Sequence, residues 1–488
     1  MLFNSFEFAL FFPIVTVLFF VLPHRYRWFL LLMASCFFYM FFKPIYILIL
    51  FFTIVIDYYA GLWIERQTDP KRKKALLALS IVANVGVLLV FKYYNFIIEN
   101  LNSAFEAFQI SGHLPILNIL LPIGLSFHTF QAMSYTIEVY RGNQKAEKHF
   151  GIYALYVMFY PQLVAGPIER PQNILHQFHE VKQFDYENFR SGLLLMAWGF
   201  FKKCVIADRL ALFVNEVYGN SSNYEGIPLL VAIVFFSFQI FCDFSGYSDI
   251  AIGSARCMGY QLMTNFDRPY LAKGMSEFWR RWHISLSSWF KDYVYIPLGG
   301  NRVSKPRWYL NLIIVFTLSG VWHGANWTFF IWGALHGFYL IVENEWNSRW
   351  QSVHLSNNWI LQFWKRAAVF SLVSFSWIFF RAANVQESLS IITKSFSQIP
   401  AQINAILTNH LNSRLHLLYI NQPAQEFFLA LAFISIMIAI HYAQGNQAFE
   451  KWILGMRKRN RWSFYYFLVV CVVLFGVFNR SEFIYFQF

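Results

Sequence analysis

Two histidines of this chain lie in stretches that otherwise have the composition of apolar helices. His323 is found in LSGVWHGANWTFFIWGALHG, residues 319–338, and His283 in FWRRWHISLSSWFKDY, residues 278–293. A neutral imidazole can accept the proton of an alcohol, because its unperturbed pKa of about 6.5 lies close to the operating pH of most enzymes. His323 is therefore a candidate general base for a reaction at a hydroxyl group.

Further polar side chains interrupt the apolar stretch FSFQIFCDFSGYSDIAIG at residues 236–253, among them Gln239, Asp243 and Ser245. Carboxylates at membrane depth are candidates for function, but they serve equally often as partners of a buried lysine or arginine. From the sequence, both interpretations of Asp243 stay open.

Residues 191–214 combine an apolar pattern with four charged side chains: Lys202, Lys203, Asp208 and Arg209. A single lipid-facing crossing would place these charges in hydrocarbon, which is costly for each of them. The segment is predicted to form either a broken or re-entrant helix that lines a wet cavity, or two interfacial helices with solvated charges.

Composition and charge indicate a membrane protein. Hydrophobic residues make up 57% of the sequence and charged residues only 13%, which is far more apolar than an ordinary soluble domain. The apolar residues form blocks of about 17 to 25, the length that a helix needs to cross a bilayer. The net charge of +13 lies mainly in short loops between these blocks. This distribution fits the positive-inside rule and argues against nucleic acid as a partner.

The predicted fold is all-α and polytopic, a single membrane domain of residues 1–488 with about eleven transmembrane helices plus re-entrant and interfacial helices. The number of crossings within 149–226 and within 308–342 stays open. Residues 256–307 are predicted to form a basic cytoplasmic loop with an interfacial helix, and residues 364–481 the C-terminal spans. The first apolar block is expected to remain as an anchor, and both termini are expected to face outside.

The segment around His323 is predicted to be a hairpin or broken helix whose turn, residues 320–326, lies at membrane depth, because neither neighbouring apolar run is long enough to cross comfortably. In the amphipathic helix of 278–293, His283 falls at the inner edge of the apolar face. A metal site of His283, His323 and His336 lacks the close ligand spacing of zinc motifs, and the cysteines show none either. No bound metal or cofactor is therefore expected.

Five strings of the sequence carry a more specific signal: LPIGLSFHTFQAMSYTIEVYRG, FYPQLVAGPIER, FCDFSGYSDIAIG, NFDRPYLAKGMSEFWRRWHISLSSWFKDYVYIPLGGNR and LSGVWHGANWTFFIWGALHG. Together they resemble the membrane-bound O-acyltransferases, in particular the bacterial branch of the alginate O-acetyltransferase membrane subunit. The resemblance implies a ring of helices around a thinned centre, with a tunnel between the two faces. It also implies that His323 of the WHG motif is the essential catalytic residue and that His283 of the RRWHISL motif is the second one.

The same resemblance implies a multi-pass protein of the bacterial inner membrane that moves an acyl group, expected to be acetyl, from a cytoplasmic thioester to a hydroxyl of an extracytoplasmic polysaccharide or peptidoglycan. The acyl donor is expected to be acetyl-CoA or the phosphopantetheine thioester of an acyl carrier protein. Transfer is direct or passes through a periplasmic or membrane-anchored acetyltransferase of the SGNH type. The alternatives are D-alanyl transfer towards teichoic acid and a transporter or flippase without enzymatic activity.

Several predicted helices are expected to contribute side chains to the substrate tunnel: Trp322, Asn326, Gln239, Asp243, Ser245, Trp279 and Trp282. Asn326 or the indole N–H of Trp322 would stabilise the oxyanion that forms on the thioester carbonyl. A covalent acyl-histidine or acyl-serine intermediate remains an alternative to direct attack. Three serines could carry it: Ser245, Ser285 and Ser319.

Arg280 and Arg281 are predicted to lie on the solvent side of the helix that contains His283. Both arginines would attract an anionic acyl donor to the cytoplasmic mouth of the tunnel. Their alternative use is to anchor the helix to anionic lipid headgroups.

Overall fold

The structure, a computed structural model, describes the following residues: 1–118, 121–164, 166–350, 358–408, 416–478 and 484. Within these ranges the regular secondary structure is helical and contains no β-strand. The α-helices are, in chain order, α1 (Phe6–Val21), α2 (His24–Met40), α3 (Ile47–Arg66), α4 (Pro70–Leu88), α5 (Tyr94–Ala107), α6 (Leu125–Arg141), α7 (Phe150–Met158), α8 (Tyr160–Leu163), α9 (Pro171–Ile174), α10 (Tyr186–Phe200), α11 (Asp208–Gly219), α12 (Ile227–Cys257), α13 (Met275–Arg281), α14 (Ile284–Phe290), α15 (Lys305–His323), α16 (Trp327–Trp350), α17 (Trp359–Arg381), α18 (Val385–Lys394), α19 (Ile399–Thr408), α20 (Ala424–Ala443), α21 (Phe449–Leu454) and α22 (Lys458–Phe475).

Long apolar helices confirm the prediction of an all-α membrane protein. Five helical segments of the described ranges are long and apolar enough to cross a bilayer: Pro44–Arg66, Pro70–Ala107, Ile227–Cys257, Trp359–Arg381 and Ala424–Ala443. The count of about eleven crossings stays a prediction. Of the predicted C-terminal region 364–481, residues 409–415 and 479–481 lie outside the described residues.

The chain forms two compact units, one of Met1–Met196 with Ser248–Thr264 and the other of Ala197–Tyr247 with Asn265–Phe488. In the first unit α3, α4 and α6 pack against one another. Their contact includes a buried polar group in which Asp57 accepts hydrogen bonds from Ser80 Oγ and from Asn84 Nδ2. Such satisfied polar contacts fix the packing of apolar helices.

The second unit contains the predicted hairpin. Helix α15 ends at His323 and α16 begins at Trp327, so residues 324–326 form the turn. Glycine allows the two helices to approach closely, because a Cβ atom on Gly320 would lie 2.2 Å from the carbonyl oxygen of Phe329. The prediction of a hairpin is confirmed, with a turn shorter than the predicted 320–326. The depth of this turn in the membrane stays a prediction.

The single amphipathic helix predicted for residues 278–293 is instead two short helices. Helix α13 ends at Arg281 and α14 begins at Ile284. Between them His283 adopts a left-handed backbone conformation with φ 43°, which is rare for residues other than glycine. The apolar side chains of this stretch, such as Phe278 and Trp282, are buried inside the protein. The location of the stretch at the membrane interface stays a prediction.

The charged segment 191–214 is one continuous helical path. A π-helical stretch, Phe201–Ala207, joins α10 to α11 without a break. The four charged side chains named above are all buried, so the alternative of two interfacial helices with solvated charges is wrong. The predicted break in this helix is absent. The helix stays continuous and accommodates the four charged side chains by locally widening its turns.

Candidate active site

His283 and His323 lie side by side in the second unit. Their ring centroids are 6.5 Å apart, and the exposed fraction is 1% for His283 and 4% for His323. At this separation one reacting ester group could contact both imidazoles. The fold therefore brings together the two residues that the sequence predicted as catalytic.

His283 is held by the amide of Asn265. The Nδ1 atom of His283 lies 3.1 Å from Asn265 Oδ1, and that oxygen also accepts hydrogen bonds from Ser285 N at 3.3 Å and Ser285 Oγ at 2.9 Å. The backbone carbonyl of Asn265 accepts from Ile284 N at 2.9 Å. These contacts support the left-handed turn at His283 and fix the direction of its ring.

The same contacts define the protonation state of His283. Because Asn265 Oδ1 can only accept a hydrogen bond, Nδ1 of the ring carries the proton and Nε2 carries the lone pair. Burial lowers the pKa of His283 to about 3, and the residue lies outside the five segments long enough to cross a membrane. His283 is therefore a neutral imidazole that can accept a hydrogen bond through Nε2.

His323 lies in an aromatic enclosure contributed by three helices. Its ring centroid is 5.0 Å from that of Trp322, 5.0 Å from that of Trp332 and 5.3 Å from that of Phe380. These side chains belong to α15, α16 and α17 respectively. An apolar enclosure of this kind excludes water and strengthens electrostatic interactions with a reacting group.

The three tryptophans predicted to line the tunnel all lie in this aromatic cluster. Trp322 is also 6.3 Å from His283 between ring centroids. The ring of Trp279 contacts that of Trp332 at 5.8 Å, and the ring of Trp282 contacts that of Trp377 at 5.1 Å. A tunnel through these residues stays a prediction, but their grouping around the histidine pair is a feature of the structure.

Asp243 and Ser245 are used to hold buried lysines. Lys203 Nζ lies 2.6 Å from Asp243 Oδ1 and 2.9 Å from Asp208 Oδ1, and Lys202 Nζ donates to Ser245 Oγ at 2.9 Å. The interpretation of Asp243 as the partner of a buried lysine is thus confirmed.

Phe244, which lies between Asp243 and Ser245 on α12, is the residue that contacts His283, with ring centroids 4.6 Å apart. Successive helical residues point about 100° apart, so its two neighbours face away from that ring. Gln239 is buried on the same helix, and within the described ranges its Oε1 accepts no hydrogen bond.

Asn326 belongs to the turn of the hairpin. Its Nδ2 donates to the carbonyl oxygen of Ala383 at 2.8 Å, and its Oδ1 accepts from Thr328 N at 3.0 Å. Both ends of the amide therefore cap α16 and bind the turn to the segment after α17. The hydrogen bond to Ala383 uses one of the two Nδ2 protons, and the role of Asn326 as an oxyanion donor stays a prediction.

The two predicted donor-binding arginines have different surroundings. Arg281 is held by two carboxylates, Glu277 at 2.7 Å and Asp267 at 3.9 Å. Arg280 instead lines a cavity of about 450 Å³ between α13, α14 and α15. Much of the lining is apolar, and its charged, hydroxyl and indole groups include Arg280, Lys291, Ser276, Ser287, Ser319 and Trp279. Only Arg280 of the two arginines is placed where a ligand in this cavity would contact it.

Two residues that line the cavity are close in sequence to the two histidines. Ser319 lies one helical turn before His323 on α15, and Ile284, which also lines the cavity, directly follows His283. Across the described parts of the chain no group of three His, Cys, Asp or Glu side chains is arranged to hold a metal ion. The nearby His336 contacts Ser376, with 2.8 Å between Nε2 and Oγ.

Sequence reasoning missed Asn265, the residue that positions His283. The only signal for it was its place at the start of the string NFDRPYLAKG, because no spacing rule connects it with residue 283. It also missed Trp332 and Phe380, which complete the enclosure of His323. An aromatic residue in an apolar helix carries no signal of this kind by itself.

Comparison with known proteins identifies the family of this chain. The family model of the membrane-bound O-acyltransferases matches residues 149–391, a range that contains both histidines. A peptidoglycan O-acetyltransferase of Helicobacter pylori is 37% identical over 389 residues, which cover 74% of this chain and 72% of the relative. The chain belongs to the membrane-bound O-acyltransferase family. The predicted family and the predicted enzyme class, an acyltransferase, are thereby confirmed.

Other relatives of this acyltransferase differ in how much of it they match. A probable alginate O-acetylase of Pseudomonas aeruginosa is 38% identical over 399 residues, 81% of this chain and 75% of the relative. A teichoic acid D-alanyltransferase of Streptococcus thermophilus is 31% identical over 250 residues, 49% of this chain and 59% of the relative. The similarity to O-acetyltransferases therefore extends over far more of this membrane-bound O-acyltransferase than the similarity to the D-alanyltransferase.

Proposed function

We propose that this acyltransferase moves an acetyl group from a cytoplasmic thioester to a hydroxyl of an extracytoplasmic polysaccharide or peptidoglycan. The observation that carries the proposal is the pair of His283 and His323, buried together with ring centroids 6.5 Å apart. The extensive similarity to an alginate O-acetylase and a peptidoglycan O-acetyltransferase supports acetyl as the group and a cell-envelope polymer as the acceptor. The ester forms on the polymer directly or through a partner acetyltransferase of the SGNH type, at the inner membrane.

His323 is the proposed general base. Its imidazole takes the proton of the attacking hydroxyl while the hydroxyl oxygen forms a bond to the thioester carbonyl carbon. The carbonyl oxygen becomes an oxyanion, the carbon–sulfur bond then breaks, and the leaving thiolate takes the proton back from the imidazolium. No covalent enzyme intermediate is required, and proton transfer by a positioned side chain contributes about 10²- to 10⁴-fold to the rate.

His283 has a different proposed role because of its protonation state. Its Nδ1 proton is directed at Asn265, so a substrate that contacts the other ring nitrogen meets an unprotonated Nε2. Such an atom cannot donate a hydrogen bond to an oxyanion. It can accept one from an amide N–H of the pantetheine arm. We therefore assign His283 the positioning of a substrate and not the stabilisation of negative charge.

The cavity beside Arg280 is the proposed entrance for the acyl donor. Its volume of about 450 Å³ lies within the range of roughly 300–1,000 Å³ that is common for small-molecule sites. Coenzyme A and acyl carrier proteins are both anionic, and Arg280 with Lys291 supplies positive charge at the wall of the cavity. Ser319 of this wall lies on the helix that ends at His323, and Ile284 of this wall directly follows His283.

The experiment that tests the proposed function measures consumption of acetyl-CoA by the purified protein in detergent, with free CoA and acceptor ester as separate readouts. We expect His323→Ala to lower both by about 10²-fold or more while the protein keeps its elution profile and thermal unfolding. His176→Ala, which changes an exposed histidine of the first unit, is the matched control and should behave like the wild type. Undiminished release of CoA by His323→Ala would contradict the assignment.

A further inference from the structure

A line of side chains on α16 connects the proposed donor cavity with His323. Its members are spaced four residues apart, so that each lies above the next on the helix surface: Trp332, His336, Leu340 and Asn344. Leu340 and Asn344 line the cavity. At the other end of the line, the ring centroid of Trp332 is 5.0 Å from that of His323. Along α16, His336 therefore lies between the cavity and the proposed general base.

Ser376 fixes the proton of His336 on one ring nitrogen. The hydroxyl of Ser376 donates to the carbonyl oxygen of Val373 at 2.7 Å, and its oxygen lies 2.8 Å from Nε2 of His336. A hydroxyl has a single proton, and here that proton is directed at the carbonyl oxygen. Nε2 must therefore be the donor in the contact between His336 and Ser376. In the neutral ring, Nδ1 then carries a lone pair and can accept a hydrogen bond.

Two buried polar atoms next to the cavity have no hydrogen-bond partner in the described part of the chain. One is Nδ1 of His336, whose side chain is 0% exposed. The other is the indole N–H of Trp279, which also lines the cavity. The ring centroids of His336 and Trp279 are 4.9 Å apart. Because buried polar groups are nearly always paired, this neighbouring acceptor and donor indicate a place where a bound molecule makes hydrogen bonds.

A secondary amide is the group that matches such a pair, because its N–H donates and its C=O accepts. The pantetheine arm of a thioester donor contains two amides of this kind. In an extended arm, the thioester carbonyl carbon and the nitrogen of the nearer amide are about 5 Å apart, roughly the pitch of one helical turn. Trp332 and His336 are also separated by one turn. A thioester held at His323 would thus bring this amide to His336.

We propose that His336 and Trp279 bind the amide of the pantetheine arm that is nearer to the sulfur. Nδ1 of His336 accepts a hydrogen bond from the amide N–H, and the indole N–H of Trp279 donates one to the amide C=O. The proposal rests on the proposed function, because it assumes a pantetheine thioester as the acyl donor. His336 contacts the arm and not the reacting atoms, and it places the thioester carbonyl beside His323. The second amide of the arm remains available to His283.

The first test uses the wild-type protein and needs no substitution. It compares acetyl-CoA with an analogue in which oxygen replaces the N–H of the nearer amide, so that the arm keeps its length and its carbonyl group. Release of the free thiol is the readout for both donors. We expect the KM of the analogue to be higher by about tenfold or more, because the buried Nδ1 of His336 is left without a partner. Equal KM values for the two donors would overturn the proposal.

The second test assigns this discrimination to His336. His336→Phe keeps a planar ring but removes Nδ1. We expect it to raise the KM of acetyl-CoA about tenfold, with a much smaller change in kcat and no increase in the KM of the analogue. A general disturbance of the site would instead raise both KM values alike. A preference for acetyl-CoA that persists in His336→Phe would refute the role of this residue.

Two controls accompany this variant. An analogue altered at the other amide of the arm should be affected equally in the wild type and in His336→Phe. His441→Phe is the matched substitution, because His441 is a buried histidine of the second unit whose ring contacts those of Trp198 and Phe241. This variant should keep the preference of the wild type, and its loss there would argue against a specific site at His336.

The role of Trp279 is tested separately. Trp279→Phe retains an aromatic ring and removes the indole N–H. Because the analogue keeps the carbonyl group that this N–H binds, we expect Trp279→Phe to raise the KM of acetyl-CoA and of the analogue by a similar factor of about fivefold to tenfold. Unchanged KM values in this variant would exclude Trp279 from the amide site.

These outcomes are distinguishable from a failure of the proposed function. Absence of His323-dependent release of CoA would remove the proposed function and this inference with it. Normal His323-dependent release, together with equal KM values for acetyl-CoA and the analogue, would remove only the inference. If His336→Phe does not fold, the comparison of the two donors with the wild-type protein still decides whether the amide N–H is recognised.

Discussion

At the scale of single residues, the chemistry of the site depends on which nitrogen of His283 carries a proton. Asn265 determines this through its side-chain oxygen, and the same residue supports the left-handed backbone of His283. Backbone strain of this kind costs about 1–3 kcal/mol and persists only where the surroundings enforce it. The strained turn directs the ring of His283 at Asn265, whose side-chain oxygen also accepts two hydrogen bonds from Ser285.

The first prediction concerns Asn265. Replacement by alanine removes the acceptor for the Nδ1 proton, so that the ring of His283 can change tautomer and rotate. We expect Asn265→Ala to lower kcat by about 10- to 100-fold, the usual effect of losing a group that orients a functional histidine. Asn265→Asp retains an acceptor oxygen and should keep more of the activity at neutral pH. Equal kcat values for the alanine variant and the wild type would contradict the role of Asn265.

The second prediction concerns pH. In the wild type, burial lowers the pKa of His283 to about 3, so this ring stays neutral from pH 5 to 9. In Asn265→Asp the new carboxylate favours the protonated ring and raises that pKa. As the pH falls through the raised pKa, Nε2 gains a proton and can no longer accept a hydrogen bond. We expect an additional loss of kcat/KM on the acid side for this variant, and profiles of the same shape for both proteins would argue against it.

At the scale of secondary-structure elements, the hairpin of α15 and α16 places His323 and Trp332 against each other. Its close packing depends on Gly320 and Gly333, where an added Cβ atom would lie 2.2 Å from a backbone carbonyl oxygen of the facing helix. Backbone atoms cannot move aside as a flexible side chain can. The register of the two helices is thus coupled directly to the position of His323, the proposed general base.

The third prediction follows from this packing. Gly320→Ala is expected to force the hairpin apart, to destabilise the protein by about 1–3 kcal/mol and to lower activity, because His323 lies one turn further along the same helix. Gly86→Ala is the matched control, since an added Cβ atom there meets no other atom within 4 Å. Thermal unfolding in detergent and release of CoA are the measurements. Unchanged stability and activity in Gly320→Ala would show that the hairpin tolerates a wider spacing.

The fourth prediction separates the two arginines of α13. Arg280 lines the proposed donor cavity, whereas Arg281 is paired with Glu277 and Asp267. In neutral detergent, Arg280→Glu should raise the KM for acetyl-CoA about tenfold at low salt, with a smaller effect at high salt because added ions screen the charges. Arg281→Glu should leave the salt dependence of this KM unchanged. Identical effects of the two substitutions would indicate that the arginines anchor the helix to lipid, or act through the overall electrostatic field of the protein, and would argue against a donor site at Arg280.

The amino-acid sequence was sufficient to predict those secondary-structure elements that depend on local patterns of residues. The apolar blocks predicted helices, and two short runs around a glycine-containing turn predicted the hairpin. The break at His283 and the π-helical stretch Phe201–Ala207 could not be predicted in this way, because both depend on contacts between distant segments. Lys203 meets Asp243 of α12, and His283 meets Asn265. The resemblance of the five quoted sequence strings to the family still identified the two histidines as candidate catalytic residues. It did not identify Asn265 or Phe380.

At the scale of the whole molecule, the features that indicate a membrane protein and those that indicate an acyltransferase lead to the same family. Composition, five helices of sufficient length and the family match agree on a membrane-bound O-acyltransferase. Within the second unit, the histidine pair is the proposed catalytic centre, and the cavity beside Arg280 is the proposed entrance for an anionic thioester.

We propose that His323 promotes acyl transfer between a donor on one side of the membrane and an acceptor on the other. The most direct measurement uses proteoliposomes with labelled acetyl-CoA outside and an acceptor oligosaccharide enclosed inside, both alone and together with an acetyltransferase of the SGNH type. It compares the wild type with His323→Ala at equal protein incorporation. We expect labelled ester on the enclosed acceptor for the wild type and a rate lower by about 10²-fold or more for the variant. Equal rates of ester formation for the two proteins would contradict it.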